Sequence, residues 1–237
     1  MKAPEPSRDR AAGAPDPAPA RRPGRPSGSP GGAEQRTRLI EAALALFARH
    51  GILDTSLAAI AREAGVTPAM VHYYFKTRDQ LIDVLIDERF VPLREGLGDI
   101  FVEHRDDPVS ALTALALRFV AVGQRYPWFP PLWVRDVISE GGVLRQRMLE
   151  RVGREHQEKA YTAIARWQRE GRLNAALEPS LLFQSLMGLT LLPLATSQMW
   201  RGDAEKPCVG VEDIARHAVA LITQGVGPGP VARIDRG

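Results

Sequence analysis

The sequence has almost no cysteine, since Cys208 is the only one in 237 residues. A disulfide within the chain is therefore impossible, which is typical of proteins kept in a reducing compartment. No basic residues are arranged beside Cys208 to favour its thiolate, so we interpret it as a bystander and not as a redox switch. The N-terminus is polar and rich in proline, without the apolar segment of a signal peptide. We therefore expect a cytoplasmic protein.

The sequence also lacks the motifs of the common enzyme classes, with no GxSxG, no HExxH and no phosphate-binding loop. Its five histidines are scattered, and none accompanies a nucleophile motif; they are His50, His72, His104, His156 and His217. An enzyme that uses an aromatic pocket stays a weak alternative. We predict instead a protein without catalytic residues, cofactor or metal.

Segments with the alternation of a β-strand are missing too, whereas apolar residues recur at helical spacing along most of the chain. The sequence therefore predicts an all-α fold, with a small helical domain over residues 33–80 and a larger one over residues 81–225. Proline, glycine, alanine, serine and arginine dominate residues 1–32, where we predict a disordered tail. Residues 226–237 are predicted to form a second flexible tail.

Charge is distributed unevenly along the chain. Residues 1–78 contain 12 basic and 7 acidic residues, whereas the remainder contains 19 basic and 21 acidic ones. A basic end of this kind is the electrostatic footprint expected of a surface that faces DNA. Basic tails also occur for other reasons, so the asymmetry supports the idea without establishing it.

The segment TSLAAIAREAGVTPAMVHYYFKTRDQL, residues 55–81, has the pattern of two short helices joined by a tight turn. Apolar residues recur at i, i+3, i+4 and i+7 in the first helix; they are Leu57, Ile60, Ala61 and Ala64. Thr55 or Ser56 caps its start, and Gly65 ends it in a left-handed turn. Thr67 and Pro68 then begin a second helix that runs to about residue 74 or 75. Thr77 and Gln80 are spaced as a capping box for the next helix.

This arrangement is the helix-turn-helix, which places its second helix in the major groove of DNA. Val71 and Phe75 are predicted to face inward, which leaves a small and polar outer face. Ala69 or Met70 is suited to contact a thymine methyl group, and His72, Tyr73 and Lys76 to contact phosphates. The alternative, in which the aromatic residues only fill a core, fits Tyr74 and Phe75.

Residues 36–86 resemble the TetR/AcrR family of transcriptional regulators. They share an apolar first helix, a His-Gly turn, the IA…AGV and Tyr-Tyr-Phe elements, and a Lys-Thr-Arg link into a fourth helix. The resemblance implies DNA contacts at Thr67, Ala69, Met70, His72, Tyr73 and Lys76, and phosphate contacts at Thr37 and Ser56. His72 departs from the pattern, because the family very often has tyrosine there.

The basic tail contains the run RRPGRP at residues 21–26, with Arg22 and Arg25. Such runs can lie in the narrow minor groove of DNA, as basic N-terminal arms do. The match to an AT-hook is imperfect, because the core is Pro-Gly-Arg-Pro. A soluble tail that adds only general charge attraction is an equal alternative.

Beyond residue 81 the patterns predict helices over about 78–97 with a break at Pro92, and over 109–126, 132–139, 143–170, 178–200 and 211–224. Aromatic residues concentrate where two of these helices meet, and they predict a pocket for a flat or apolar effector. The candidates are Phe119, Tyr126, Trp128, Phe129, Trp133 and Trp167. The alternative is that these residues only fill the core. The resemblance implies that an effector there moves the fourth helix.

The stretch 181–200 is long and mostly apolar, as a membrane-spanning helix is. We interpret it instead as a helix buried at a subunit interface. With the last helix it predicts a dimer contact across a two-fold axis, formed by Leu182, Leu186, Leu189, Ile214, Ala218 and Leu221.

The sequence therefore predicts a dimeric, effector-responsive transcriptional regulator, of the repressor type, that binds an inverted-repeat operator and no membrane. The alternative is a constitutive DNA-binding protein without an effector.

Overall fold

A computed structural model describes residue 1 and residues 30–137, 142–152, 155–200 and 209–227. The predicted tails, with Arg22 and Arg25, and the predicted bystander Cys208 lie outside these residues, apart from residues 30–32 and 226–227 at the tail ends. The described residues form α-helices and no strand, which confirms the all-α prediction. The helices are α1 Pro30–His50, α2 Leu57–Glu63, α3 Pro68–Phe75, α4 Arg78–Leu85, α5 Val91–Glu103, α6 Pro108–Arg125, α7 Phe129–Leu132, α8 Val143–Val152, α9 Glu155–Arg169, α10 Pro179–Trp200 and α11 Val211–Gly225.

Two π-helical turns, Ile86–Phe90 and Trp133–Val137, interrupt segments that the sequence predicted as regular helix. The first lies between α4 and α5, where one helix with a break at Pro92 was expected. Pro92 has no N–H to donate to the carbonyl of Glu88, four residues earlier. That carbonyl accepts instead from Nη1 of Arg89 at 3.3 Å. The proline therefore acts on the turn before it and not at its own position.

Two apolar clusters make up the core. The first is formed by α1 to α4 and extends to Phe90, Trp128, Leu132 and Leu144. The second joins α6, α9, α10 and α11. Phe129 packs against both clusters. The N-terminal helices therefore share their core with residues far beyond position 80, where the sequence predicted a domain boundary.

Helix α10 is the one described helix that is long and apolar enough to cross a membrane, by length and composition. In the fold it packs against α6, α7, α9 and α11. Thr190 lies fully buried on it and donates its hydroxyl to the carbonyl of Leu186 at 2.7 Å. The helix is thus a central element of the bundle.

Candidate nucleic-acid interface

The start of α2 is fixed by two hydroxyl groups with different partners. Oγ of Ser56 accepts from the backbone N–H of Ala59 at 3.1 Å, so Ser56 is the cap. The buried Thr55 donates its hydroxyl to the carbonyl of Gly51 at 2.7 Å and ties α2 to the end of α1. The open choice between the two caps is thereby resolved in favour of Ser56.

The turn between α2 and α3 depends on Gly65, whose φ is +66°. This left-handed conformation favours glycine because it has no Cβ. It lets the N–H of Val66 reach the carbonyl of Ala61 at 2.9 Å, which closes the end of α2. The predicted turn is present, and it sets α3 across α2.

Helix α3 has one buried and one exposed face. Val71 and Phe75 are 0% exposed and anchor it in the first apolar cluster. Tyr73 is 68% exposed. The other residues of the outer face are exposed as well, except half-buried Met70; they are Thr67, Pro68, Ala69, His72 and Lys76. The predicted recognition residues therefore lie together on one accessible surface.

Two details at the ends of α3 differ from the expected capping. Thr67 occupies the N-cap position without a side-chain hydrogen bond to the helix, so its hydroxyl is available for another partner. Thr77 accepts from the N–H of Gln80 at 3.1 Å, which is half of the predicted capping box. The hydroxyl of Thr67, which the sequence predicted to cap α3, thus makes no hydrogen bond to the helix. It lies at the start of α3, beside the outer face.

The C-terminal end of α3 is held by local contacts. The ring Nδ1 of His72 lies 3.3 Å from the carbonyl of Lys76, which has a φ of 22°. The hydroxyl of Tyr74 donates to the carbonyl of Gly32 at 2.9 Å and links α3 to the start of α1. Thr37, the predicted phosphate contact on α1, is exposed, and it donates its hydroxyl to the carbonyl of Ala33 at 3.0 Å.

Three exposed cations in the helices α1 to α3 and the residue after them have no carboxylate partner among the described residues. They are Arg38 on α1, Arg62 on α2 and Lys76 after α3. Sequence analysis found Lys76 but missed both arginines, because unpaired and paired arginines look the same in a sequence. Each of these three residues can therefore bind a phosphate without first breaking an ion pair.

Two ion pairs join the first π-helical turn to α1. Nη1 of Arg36 on α1 donates to Oε2 of Glu88 at 2.8 Å, and Nη2 of Arg89 donates to Oε1 of Glu41 on α1 at 3.0 Å. The hydrogen bond from Arg36 lowers the pKa of the Glu88 carboxyl from its ordinary value. These contacts fix the π-helical turn to α1.

A second row of ion pairs connects α8 to α4. Arg147 pairs with Asp79 at 3.0 Å and with Asp83 at 2.8 Å. Arg151 donates to both oxygens of Asp87 at 2.7 Å, and this hydrogen bonding lowers the pKa of the Asp87 carboxyl. The three aspartates are spaced four residues apart and form one row on the helix surface. Ion pairs thus connect the first π-helical turn to α1 on one side, and they connect this turn and α4 to α8 on the other.

The six predicted effector residues do not form one cluster. Phe119, Trp133 and Trp167 belong to the second apolar cluster, and Trp128 belongs to the first. Trp167 is fully buried, stacks on Phe101 and donates from Nε1 to the carbonyl of Arg105 at 2.6 Å, as a core residue does. Sequence spacing did not reveal this separation, because Trp128 and Trp133 are only five positions apart and still belong to different clusters.

Tyr126 and Trp128 line a cleft of about 360 Å³. Both were predicted as effector residues, but the other residues of this cleft were not. Glu41, Glu88, Arg89, Pro92 and Leu93 complete its walls. The cleft lies between α1, the first π-helical turn and the loop before α7. Phe90 packs edge to face on Trp128 beneath it, with ring centroids 5.5 Å apart.

The predicted dimer residues divide between the core and the surface. Leu182, Leu186, Ile214 and Ala218 are buried within the single chain, and Leu182 and Leu186 lie at the wall of a groove. Helical periodicity identifies a buried stripe but does not tell an internal partner from an external one. Leu189 is half-buried and Leu221 is 47% exposed, and both line a groove of about 390 Å³ between α10 and α11. Leu181, also exposed in this groove, was not predicted.

Comparison with known proteins identifies the N-terminal helices. Residues 39–85 match the family model of bacterial regulatory proteins, tetR family. The chain is 37% identical over 82 residues to the HTH-type transcriptional regulator BetI of Rhizobium meliloti, covering 35% of each chain. It is 27% identical over 118 residues to the regulator SrpR of Pseudomonas putida, covering 49% of this chain and 54% of that protein. The chain thus spans a third to a half of the length of these two relatives.

Solved structures share the fold over a longer stretch. The ketosteroid transcriptional regulator KstR2 of Mycobacterium tuberculosis superimposes with a TM-score of 0.62 at 17% identity, over 81% of this chain and 95% of that one. NalD of Pseudomonas aeruginosa, the secondary repressor of the MexAB-OprM multidrug efflux pump, gives a TM-score of 0.56 at 23% identity, over 83% and 98%. At these identities the comparison establishes the arrangement of the helices and nothing finer.

Proposed function

We propose that the chain is a DNA-binding transcriptional regulator of the TetR family and that it acts as a homodimer, because residues 39–85 match the model of that family and its N-terminal part is similar to BetI. The observation that carries the proposal is the outer face of α3. Its polar and small residues are exposed, while Val71 and Phe75 on the opposite face are completely buried. A helix with this division is ready to enter a major groove without rearrangement.

Each exposed group on this face has a role suited to its chemistry. Ala69 and Met70 contact base edges, where a methyl group recognises thymine. The uncapped hydroxyl of Thr67, the phenol of Tyr73 and the ammonium of Lys76 donate to phosphates. Thr37 and Ser56 add phosphate contacts from the helices behind.

Two copies of the chain are needed to read two half-sites on one side of the duplex. The groove between α10 and α11 exposes Leu181 and Leu221, and half-buried Leu189 lies between them. An apolar face of this kind suits a second copy of itself across a two-fold axis, which makes the operator an inverted repeat.

An effector controls this binding in our proposal. Its class is a small apolar or aromatic compound, and its site is the aromatic region around Tyr126, Trp128 and Phe129. Phe129 packs against both apolar clusters, so a ligand there acts on the core of the DNA-binding helices and on that of the bundle. In our proposal the protein acts in the cytoplasm as a repressor, which is the role that NalD has at its own efflux pump.

The test is selection of binding sites from a random duplex library by the full chain, followed by affinity measurements. We expect an inverted repeat, bound by the wild type and bound at least tenfold more weakly by Tyr73→Ala and Lys76→Ala. Unchanged affinity in both variants would place the DNA on another surface.

The alternative is a constitutive DNA-binding protein without an effector. A thermal-shift screen of dyes, acyl-CoAs and antibiotics separates the two. A compound that raises the melting temperature and releases the selected duplex supports regulation by an effector. Selective DNA binding with no such compound across a broad set favours the constitutive protein.

A further inference from the structure

The cleft of about 360 Å³ lies where the DNA-binding helices meet the chain that follows them. Three parts of the chain supply its polar and aromatic walls; they are Glu41 on α1, Glu88 and Arg89 on the first π-helical turn, and Tyr126 and Trp128 before α7. Pockets of this volume hold small molecules in many proteins. A ligand in this cleft would contact α1 and the residues beyond α4 at the same time.

The positive charge in these walls is already bound by the protein. Arg89 is the one cation among the described residues that line the cleft. Its Nε and Nη2 donate to Oε1 of Glu41 at 3.2 and 3.0 Å, and its Nη1 donates to the carbonyl of Glu88 at 3.3 Å. An anionic ligand would have to separate Arg89 from Glu41 and would then face two carboxylates, so the cleft disfavours anions.

One carboxylate oxygen in the cleft is available to a ligand. Both oxygens of Glu88 accept from Arg36, whereas Glu41 uses only Oε1 for its pair with Arg89. Oε2 of Glu41 accepts no hydrogen bond from the described residues, and the side chain is 51% exposed. This oxygen can therefore accept a charge-assisted hydrogen bond from a ligand N–H group.

Aromatic rings lie beside that oxygen in the same cleft. Trp128 is buried and is fixed by edge-to-face contacts with Phe90 and Phe129, at 5.5 and 5.8 Å between ring centroids. The guanidinium of Arg125, which does not line the cleft, lies 5.7 Å from the centroid of the Tyr126 ring, so this ring already attracts a cation. Aromatic faces next to a carboxylate suit an organic cation, because both attract positive charge and the rings also cover an apolar body.

We propose that the cleft binds a small aromatic amine in its protonated form, whose N–H groups donate to Oε2 of Glu41 and whose ring lies against Tyr126 and Trp128. A quaternary ammonium compound satisfies the rings but has no N–H group for Glu41, so it binds more weakly. The inference rests on the proposed function, and it narrows the effector from apolar or aromatic compounds in general to aromatic amines.

The same contact connects the ligand to the DNA-binding helices. The pair between Glu41 and Arg89 joins α1 to the first π-helical turn, and a second cation at Glu41 competes with the guanidinium for this carboxylate. The bound amine therefore weakens the connection between α1 and the turn and lowers the affinity for the operator. Because such coupling is reciprocal, operator DNA lowers the affinity for the amine by the same factor.

The experiment measures binding of phenethylamine, tryptamine and benzamidine to the full chain by titration calorimetry. We expect at least one of them to bind. The amine that binds is then compared with the alcohol, the carboxylate and the trimethylammonium compound that have the same ring. All three should bind about tenfold more weakly or not at all, since each lacks either the positive charge or the N–H group.

Replacement of the two partners of one ion pair should change amine binding in opposite directions. Glu41→Gln removes the accepting carboxylate and should weaken binding about tenfold. Arg89→Gln removes the competing guanidinium and should strengthen binding about threefold. Glu63→Gln is the matched control, because it removes a carboxylate paired with Arg49 on the DNA-binding helices, outside the cleft, and should leave amine binding unchanged. Thermal denaturation checks that the three variants are folded.

The outcomes distinguish this inference from the function on which it rests. No enriched repeat in the selection from the random duplex library contradicts the proposed function itself. When a repeat is selected, the amine site is overturned by absence of binding for all three amines, by equal binding of the control compounds, or by parallel losses in Glu41→Gln and Arg89→Gln. An amine that binds without changing the affinity for the operator overturns the coupling to DNA.

Discussion

The unpaired cations of α1 to α3 and the ion-paired cations that attach α4 and the first π-helical turn to their neighbours differ in their surroundings. The contrast holds even between Arg38 and Arg36, which lie two positions apart on α1. Arg38, Arg62 and Lys76 are exposed, with no carboxylate partner in the part of the chain that the structure describes. Arg36 and Arg147, by contrast, pair with carboxylates on neighbouring helices. One group is free to bind an external anion, and the other holds the domain to the bundle.

This difference shows that the place of an arginine in the fold, and not its residue type, decides whether its charge is paired. An exposed, unpaired arginine contributes little to stability, so its replacement tests binding without unfolding the chain. A paired arginine has already satisfied its donors and offers a phosphate less. The predictions below test whether the two groups are as separate as the structure indicates.

The largest effect is expected inside α3, where the two faces can be compared directly. Phe75→Ala empties a fully buried site in the first apolar cluster and should lower the free energy of unfolding by about 3–5 kcal/mol. Tyr73→Ala, two residues away and exposed, should change it by less than about 0.5 kcal/mol and still weaken DNA binding. Urea denaturation measures both. Equal losses of stability would mean that α3 has no free outer face.

A charged residue introduced into the groove between α10 and α11 tests whether this groove is the dimer contact. Leu221→Glu should shift the dimer to monomer, with at least a tenfold higher dissociation constant, because association would bury an unpaired carboxylate. Leu117→Glu on α6 is the matched control, since Leu117 is similarly exposed, at 45%, and does not line the groove. Sedimentation measures the dissociation constant. Dimers that tolerate Leu221→Glu would place the contact elsewhere.

A moderate effect is expected at the ion pairs that connect α8 to α4. Arg147→Gln removes pairs to Asp79 and Asp83 and should lower the free energy of unfolding by about 1 kcal/mol, since the pairs are partly exposed. Arg145→Gln, on the same helix and exposed, should have no measurable effect. High salt should remove the difference between the two variants. A difference that persists in high salt would point to packing and not to charge.

The smallest effect concerns pH. Ion pairing lowers the pKa of Asp87 and Glu88 in the folded state, so their stabilising contribution is full above the unfolded carboxyl pKa. It is lost as the pH falls through the lowered folded values, below about pH 4. Glu88→Gln should therefore flatten the decline of stability in acid. An identical acid profile for the variant and the wild type would show that this pair contributes nothing.

The DNA-binding helices were predictable from the sequence because their signals are local. Gly65, Pro68 and the Val71–Phe75 spacing each specify a turn, a helix start or a buried face within a few residues. Each of these was found where the sequence placed it. The sequence did not decide whether Thr55 or Ser56 caps α2, because either hydroxyl can serve as an N-cap before the first apolar residue of the helix.

The bundle was less predictable because its decisive contacts are distant in sequence. Trp167 and Trp128 are both aromatic residues near helix ends, yet they pack in different clusters. Leu186 and Leu221 share one apolar pattern, yet only Leu221 is exposed. Periodicity identifies the apolar face of each helix. The element against which that face packs depends on contacts between residues that are distant in sequence.

The salt dependence of DNA binding tests the central claim most directly, which is that the outer face of α3 and its unpaired cations bind the phosphate backbone. On the selected duplex, Arg38→Gln/Arg62→Gln/Lys76→Gln should reduce the slope of log affinity against log salt by roughly 5, because the bound dimer loses six cations and each contributes about 0.9. Arg36→Gln/Arg147→Gln should leave that slope unchanged. Equal slopes for the wild type and the triple variant, or an equal reduction in both variants, would contradict the claim.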